Sequence, residues 1–396
     1  MSSLVDLALA SNQLWGKIPS DIGVTLPNLL VINLCFNKFT GTIPASLHNL
    51  TSIKVIRMAH TLLEGTVPPG LGNLPFLEMY NIGFNRIVNF GDNGLGFITS
   101  LTNSTHLKFL AFDGNLLQGV IPEICCSLTL LNLSYNSITG EIPTEIGQLE
   151  NLQMLGLAGN QIAGRIPNSL GNLQKLNQVD LSGNKLVGRI PTTFGNFHNL
   201  LSMDLSTNKL NGTIPKEILS LQSLSLILNL SNNFLNGNLS EEIGLLDSVA
   251  TIDLSNNHLS GNIPDSLKNC KSLEELYITR NAFSGPIPSF LGEIKGLEIL
   301  DLSYNNLSGS IPLDLGYCKF WTLSCYYSWI IFAMMVALNP EVQQECVMTV
   351  LGIGLSCTTS SPDSRISIRN ALRKLKAARD NLLDHGPILN SKHEEQ

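Results

Sequence analysis

Four aspartates, Asp180, Asp204, Asp253 and Asp301, stand at one place in a recurring Asp-Leu-Ser string. Paired carboxylates perform glycoside hydrolysis when one is held protonated and the other ionised. That division of roles needs a site that raises one pKa, and an open repeated surface offers none. The column therefore reads as the ordinary filler of a repeat. The seven histidines are far apart, and neither His-Glu-x-x-His nor Cys-x-x-Cys occurs, so no metal or cofactor site is expected. Cys125 and Cys126 are adjacent and poorly placed to bridge each other. The remaining chemistry is that of modification. Asn-x-Ser/Thr acceptors occur at Asn49, Asn103, Asn132, Asn211, Asn229, Asn238 and Asn306, several of them a by-product of an Asn- and Ser-rich chain.

Composition narrows the class. With 24 basic against 31 acidic residues and a net charge of −7, no positive field exists to hold nucleic acid. A hydrophobic content of 43% excludes a wholly disordered chain. Eight cysteines are too few and too scattered for a small disulfide scaffold.

What must position any functional residue is a repeat. Gly-x-Ile-Pro or a near variant begins at Gly16, Gly41, Gly65, Gly119, Gly140, Gly164, Gly188, Gly212, Gly261, Gly285 and Gly309, with a degenerate copy at Gly237. Before each comes a string such as Leu300-Asp301-Leu302-Ser303-Tyr304-Asn305. Its closing residue is Asn12, Asn37, Thr61, Asn85, Asn115, Asn136, Asn160, Asn184, Asn208, Asn233, Asn257, Asn281 and Asn305. The usual step is 24 residues, with departures of 25, 30 and 21. In Leu-x-Leu the two leucines point the same way, the period of a short strand. The Asn is expected to bond to backbone groups at the bend that follows, making a ladder along the stack. Pro then fixes φ while Ile enters the core. One unit cannot bury its apolar face, so the units must stack into a solenoid with a continuous core.

This pattern resembles the plant-type leucine-rich repeat, and the chain resembles the extracellular part of plant leucine-rich-repeat receptor-like kinases. The resemblance covers residues 1–313. It implies an α/β repeat fold, a right-handed solenoid of about thirteen repeats with a small helical C-terminal segment. Gly91 to Asn103, inside the 30-residue step, is similar to the enlarged repeat of the subfamily that includes immune receptors. There the pattern has a Trp that is missing here, and a Cys where Ser104 stands. The resemblance also implies a signal peptide and a Cys-paired cap ahead of the repeats. This chain instead opens inside a repeat, with Leu4, Leu7 and Leu9 expected on the core side, and Met1 to Asp6 lack a secretory signal. A truncated gene product or fragment would account for that.

Residues 314–339 contain the apolar run Phe320 to Leu338, about 28 Å long as a helix and so near one bilayer core. Tyr326, Tyr327 and Trp329 sit mid-run rather than at its ends, so a membrane span and an aberrant or buried linker both stay open. Residues 340–385 are expected to form two helices, the second capped by Ser367 and followed by a polar tail, 386–396. Gly352 to Cys357 with Ser361 to Arg365 resemble the last two helices of a protein-kinase lobe. Val-Ala-Ile-Lys, His-Arg-Asp, Asp-Phe-Gly and Ala-Pro-Glu are all absent, so no phosphoryl transfer is expected and the chain reads as no enzyme.

The expected role is binding of a peptide or protein ligand, with a co-receptor kinase as a further partner, in plant defence or development at the plasma membrane. An incomplete receptor kinase or a non-functional fragment is the alternative. Most outward strand positions carry Ser, Gly, Asn or Asp, and two patches depart from that: Arg57, His60, Asn81 and Phe84 near the N-terminal end, and Glu275, Tyr277, Arg280 and Tyr304 near the C-terminal end. Aromatics with Arg are enriched in binding hot spots, which makes both patches candidate ligand sites. Glycans on Asn132 and Asn229 would obstruct the concave strand face between them.

Overall fold

The computed structural model describes residues 3–89, 95–124, 127–313 and 315. Each repeat contributes one three-residue strand, and the thirteen strands pair in parallel and in chain order into one sheet. They are β1 (Asp6–Ala8), β2 (Val31–Asn33), β3 (Val55–Arg57), β4 (Met79–Asn81), β5 (Phe109–Ala111), β6 (Leu130–Asn132) and β7 (Met154–Gly156). The series continues with β8 (Gln178–Asp180), β9 (Ser202–Asp204), β10 (Ile227–Asn229), β11 (Thr251–Asp253), β12 (Glu275–Tyr277) and β13 (Ile299–Asp301). The central residue of each points into the solenoid, as with Ile32, buried between half-buried Val31 and Asn33. That alternation is the pleat of a strand with one covered and one open face. From Ile18 to Leu315 the inward side chains join one apolar core. The solenoid expected from the spacing is the fold.

The asparagines hold the stack in register. Asn208 donates from Nδ2 towards Leu205 O at 3.2 Å and Ser206 O at 3.1 Å in its own bend, and to Leu181 O of the preceding repeat at 3.0 Å. Its Oδ1 accepts the Leu186 N–H at 3.0 Å. The same set recurs at Asn37, Asn160, Asn184, Asn233, Asn257, Asn281 and Asn305. One side chain thus serves backbone groups of two repeats that would otherwise be buried unpaired. Thr61 breaks the series. Its hydroxyl sits 2.6 Å from Asn85 Oδ1 and 3.1 Å from Met58 O, both on the C-terminal side or within its own bend. No bond from it reaches Leu34 O or Phe39 N, the groups that an Asn at this place would join.

The residue before each ladder position has a left-handed backbone, at φ near +50° to +62° in all thirteen repeats. Ten of the thirteen are not glycine, among them Phe36, His60, Phe84, Arg280 and Tyr304. The ladder bonds hold them in a conformation that costs an L-residue about 1–2 kcal/mol. At Gly159 a Cβ would lie 2.6 Å from the exposed Tyr135 ring, which would have to turn aside to admit it.

Gly-x-Ile-Pro turns the chain on the other side. All twelve glycines of that motif have positive φ, and they sit in or beside short parallel strands such as Lys209–Gly212 and Phe234–Asn238. Past the proline a single 3-10 turn follows in most repeats, as at Thr144–Gln148 and Asn168–Asn172. The long step closes with an enlarged 3-10 segment, Gly96–Asn103, after which the buried Ser104 hydroxyl donates to Leu74 O at 2.9 Å. Cys270, at the place equivalent to Ser104, reaches a carbonyl three residues earlier in its neighbouring turn, Ile243 O at 3.3 Å.

One core feature was not legible in the pattern. His48 occupies a place that is glycine in other turns, such as Gly147, where a Cβ would lie 2.2 Å from Ser169 O. It fits because the next repeat runs Pro68-Pro69-Gly70, with Gly70 at φ +90° and its 3-10 helix shortened to Leu71–Asn73. The fully buried imidazole presents Nδ1 to Pro68 O at 3.0 Å, so Nδ1 carries the proton, and Nε2 accepts the buried Tyr80 hydroxyl at 3.0 Å. Burial lowers the His48 pKa, with the two proline carbonyls opposing. The run 320–338, the helices expected in 340–385, the tail 386–396, Gly91–Gly94 and the Cys125–Cys126 pair lie outside the described residues.

Two measurements follow from this architecture. Leu205, fully buried, should lose about 2–5 kcal/mol on Leu205→Ala through transfer and cavity terms, and Asn208→Ala about 1–3 kcal/mol through unpaired backbone. Thr61→Asn should gain roughly 1 kcal/mol by completing the ladder; denaturant melts read all three, and unchanged midpoints would remove the ladder from its role. The His48 linkage gives a pH signature. Because its folded pKa lies below the unfolded value, stability is full above about pH 6.5. As pH falls below that value, the unfolded chain gains a proton that the folded one resists, and stability drops. Melts of the parent chain minus those of His48→Gln, taken from pH 8 to 5, isolate this component, and parallel curves would count against it.

Candidate functional site

The open face of the sheet has two outward rows, the first and third residue of each strand, and a third row at the left-handed bend. The first row is not uniform. Val31, Val55, Met79, Phe109, Leu130 and Met154 are register partners on six consecutive strands, β2 to β7, and all are half-buried. The expectation of small polar outward residues therefore fails in the N-terminal half, where an apolar stripe runs across the strands. The signal was visible as the second residue after the Leu or Ile that precedes each strand, but an apolar run there is hidden beside the core leucines. At β8 and β9 the row turns polar with Gln178 and Ser202, and isolated apolar residues return at Ile227 on β10 and Ile299 on β13.

The third-position row carries the aspartates. Asp180, Asp204 and Asp253 each accept the N–H of the serine two residues on, at 3.0, 2.9 and 2.9 Å. Asp301 does the same for Ser303 at 3.0 Å. Asn33, Asn81, Asn132 and Asn229 fill the same role. The carboxylates brace the bend, as the repeat reading expected. Burial, opposed by the Ser182 bonds, pushes the Asp180 carboxyl up, and Asp204 one repeat away adds to that.

Neither sequence patch lies wholly on the strands. Arg57 and Asn81 are register partners ending β3 and β4, whereas His60 and Phe84 sit at the left-handed bend. There the rings stack, His60 on Phe84 at 4.2 Å and 10°. Phe36, which the sequence reading did not single out, continues the stack on His60 at 4.4 Å and 11°. Its position before Asn37 was the available sign. Arg57 Nε is buried without a partner, which leaves one donor of this patch unsatisfied.

At the other end, Glu275 and Tyr277 are the outward residues of β12, with the Tyr277 hydroxyl donating to Glu275 at 3.4 Å. Burial and then the charges of Glu275, Asp253 and Asp301 hold the Tyr277 phenol above its ordinary range. Arg280 and Tyr304 belong to the bend row instead, where the guanidinium carbon lies 5.0 Å from the Tyr304 ring centre. That is a cation–π contact, and it places an arginine over an exposed ring. A carboxylate, a phenol and a braced guanidinium on adjacent repeats can bind a polar group by directed hydrogen bonds.

Asn132 and Asn229 do end strands on the open face, half-buried, and Asn229 donates from Nδ2 to Asp204 Oδ2 at 3.0 Å. Asn49, Asn211, Asn238 and Asn306 are exposed. Among the described residues no group of His, Cys, Asp or Glu is arranged to hold a metal, and no helix is long and apolar enough to cross a membrane.

Comparison with known proteins places these observations. The Leucine Rich Repeat family matches residues 28–50, 127–149, 151–173, 175–197, 248–270, 272–294 and 296–320. The receptor kinase-like protein Xa21 of Oryza sativa subsp. japonica is 45% identical over 62 residues, 15% of this chain and 6% of that protein. The leucine-rich-repeat receptor-like serine/threonine-protein kinase EFR of Arabidopsis thaliana is 39% identical over 73 residues, 17% of this chain and 7% of that one. The solved Arabidopsis receptor kinase HAESA, in complex with the peptide hormone IDA and the co-receptor SERK1, aligns with a TM-score of 0.68 and 34% identity. That alignment covers 81% of this chain and 56% of HAESA's solved chain. The chain thus spans little more than half of that solved chain, and matches the two curated relatives over less than a tenth of their length.

Proposed function

We propose that this chain is a plant leucine-rich-repeat receptor-like protein whose open strand face binds an extracellular peptide or protein ligand in defence or developmental signalling. The observation that carries this reading is the C-terminal patch. Glu275 and Tyr277 on β12 and the Arg280–Tyr304 pair at the bend form a compact set of aromatic, acidic and basic groups. No acceptor asparagine stands on β11 to β13, and the nearest in sequence, Asn306, belongs to a short strand of another sheet. Such residues supply large contact area and directed hydrogen bonds at low entropic cost. The apolar stripe from Val31 to Met154 gives the same face a second anchoring region. The N-terminal patch of Arg57, His60, Asn81 and Phe84 is the further contact region in this reading.

A co-receptor kinase is the second partner, a reading supported by the HAESA complex, which holds a peptide hormone and a co-receptor together; in this proposal it docks towards the C-terminal end. The solenoid faces the extracellular side of the plasma membrane. In this reading the chain transfers no phosphate, since its sequence lacks the glycine-rich loop, strand lysine, catalytic aspartate and metal-binding aspartate that the reaction needs.

Replacing Tyr277 and Arg280 together with Ala tests the site. Both side chains face outward, so the melting midpoint should hold while affinity for a ligand captured by the parent chain falls by about tenfold or more. Equal affinity in the folded double variant would move binding elsewhere on the solenoid.

A further inference from the structure

The side of the solenoid that carries Gly-x-Ile-Pro holds a second arrangement, independent of the strand face. Arg165 and Arg189 follow the motif glycine in two consecutive repeats, and Lys185 and Lys209 follow the ladder asparagine in consecutive repeats. Each pair therefore occupies one structural position twice. Arg165, Val187 and Lys209 are register partners across three chain segments, by a bridge and a strand pairing. The arginines lie across the turn of the next repeat: a Cβ on Gly188 would come within 3.2 Å of Arg165 Cγ, and one on Gly212 within 3.0 Å of Arg189 Cγ. Lys185 reaches back to donate to Gln161 Oε1 at 3.0 Å. All four cations are exposed.

None of the four takes part in an ion pair within 4.0 Å; the pair recorded among the described residues is Lys54 with Glu78. Glu141, one repeat ahead of Arg165 at the equivalent position, borders the group without closing on it. Four of the chain's 24 basic residues thus crowd into adjacent turns of a protein with net charge −7, and like charges at neighbouring positions repel. A multivalent anion removes that repulsion.

We propose that this two-by-two cationic array is a binding site for an acidic polysaccharide. The array is open and follows the repeat, which suits a polymer with regularly spaced carboxylates better than a single small ion. A protein partner would need an apolar, aromatic centre; the one large apolar side chain among the four is Val187, 39% exposed. Single-stranded nucleic acid would need aromatic rings to stack on, and none stands between these cations. Asn211, a glycan acceptor two residues beyond Lys209, is exposed on the same side of its strand and edges the array.

The probe is sodium polygalacturonate, with neutral dextran as the blank. The variant changes Arg165, Lys185, Arg189 and Lys209 to Gln together, and a control changes Lys38, Arg86, Lys268 and Lys295, exposed cations elsewhere on the solenoid. The parent chain should bind polygalacturonate with an affinity that falls as salt rises, and not bind dextran. The array variant should lose about tenfold or more, with a flatter salt dependence, while the control keeps most of its affinity and both keep the parent melting midpoint. Equal loss in array and control variants would overturn the site. Absence of binding by the parent chain, or binding of poly-glutamate or single-stranded DNA as tight as that of polygalacturonate, would overturn the occupant.

Discussion

Everything in this molecule hangs on one side-chain amide. An Asn that closes each bend ties two repeats together through buried backbone groups, and a carbonyl such as Leu181 O takes one bond from each of two successive asparagines. The repeat length, the left-handed residue before the Asn and the parallel register of the strands all follow from the need to place that amide. Asn12 shows the condition by exception. It bonds only to Leu9 O and Ala10 O of its own bend, because no described repeat lies before it.

Because the ladder fixes the backbone from within, the outward positions are released from any structural duty except at the bend. There the third strand residue must accept an N–H, which explains why Asp and Asn dominate that row and why a tyrosine at 277 is a departure. An Asp column that looks like catalytic equipment is thereby assigned to the scaffold. The departures, Ala8, Arg57, Ala111, Gly156 and Tyr277, are places where the brace was given up. Two of them carry large side chains that can meet a partner.

The repeat was legible in the sequence almost to the residue. Leu-x-Leu, the Asn and Gly-x-Ile-Pro each state a backbone requirement, and the structure places them where that requirement acts. What was not legible depends on contacts between residues about one repeat apart. The Phe36–His60–Phe84 stack needs the left-handed bend, which turns those side chains into one column; read as strand residues, they fall on the wrong row. The same error placed Arg280 and Tyr304 on the strands. His48 with Tyr80 was hidden because its sign is a pair of compensating oddities in different repeats, a His where glycine is the rule and a Pro-Pro-Gly in the next turn.

The same release explains how one solenoid can carry unlike surfaces. A globular domain that gathers four unpaired cations must brace them with carboxylates or accept a strained fold. Here each cation extends from a turn whose geometry is set by a glycine and by a ladder bond on the opposite side of the chain. Repulsion among Arg165, Lys185, Arg189 and Lys209 therefore has little backbone to act on, and a polyanion would meet them already in place. The apolar stripe is held in the same manner: Val31 to Met154 line up because the residues between them are fixed by the core. Since each row repeats at the spacing of the strands, chemistry placed on it by one substitution per repeat becomes a continuous strip, which suits extended ligands rather than compact ones.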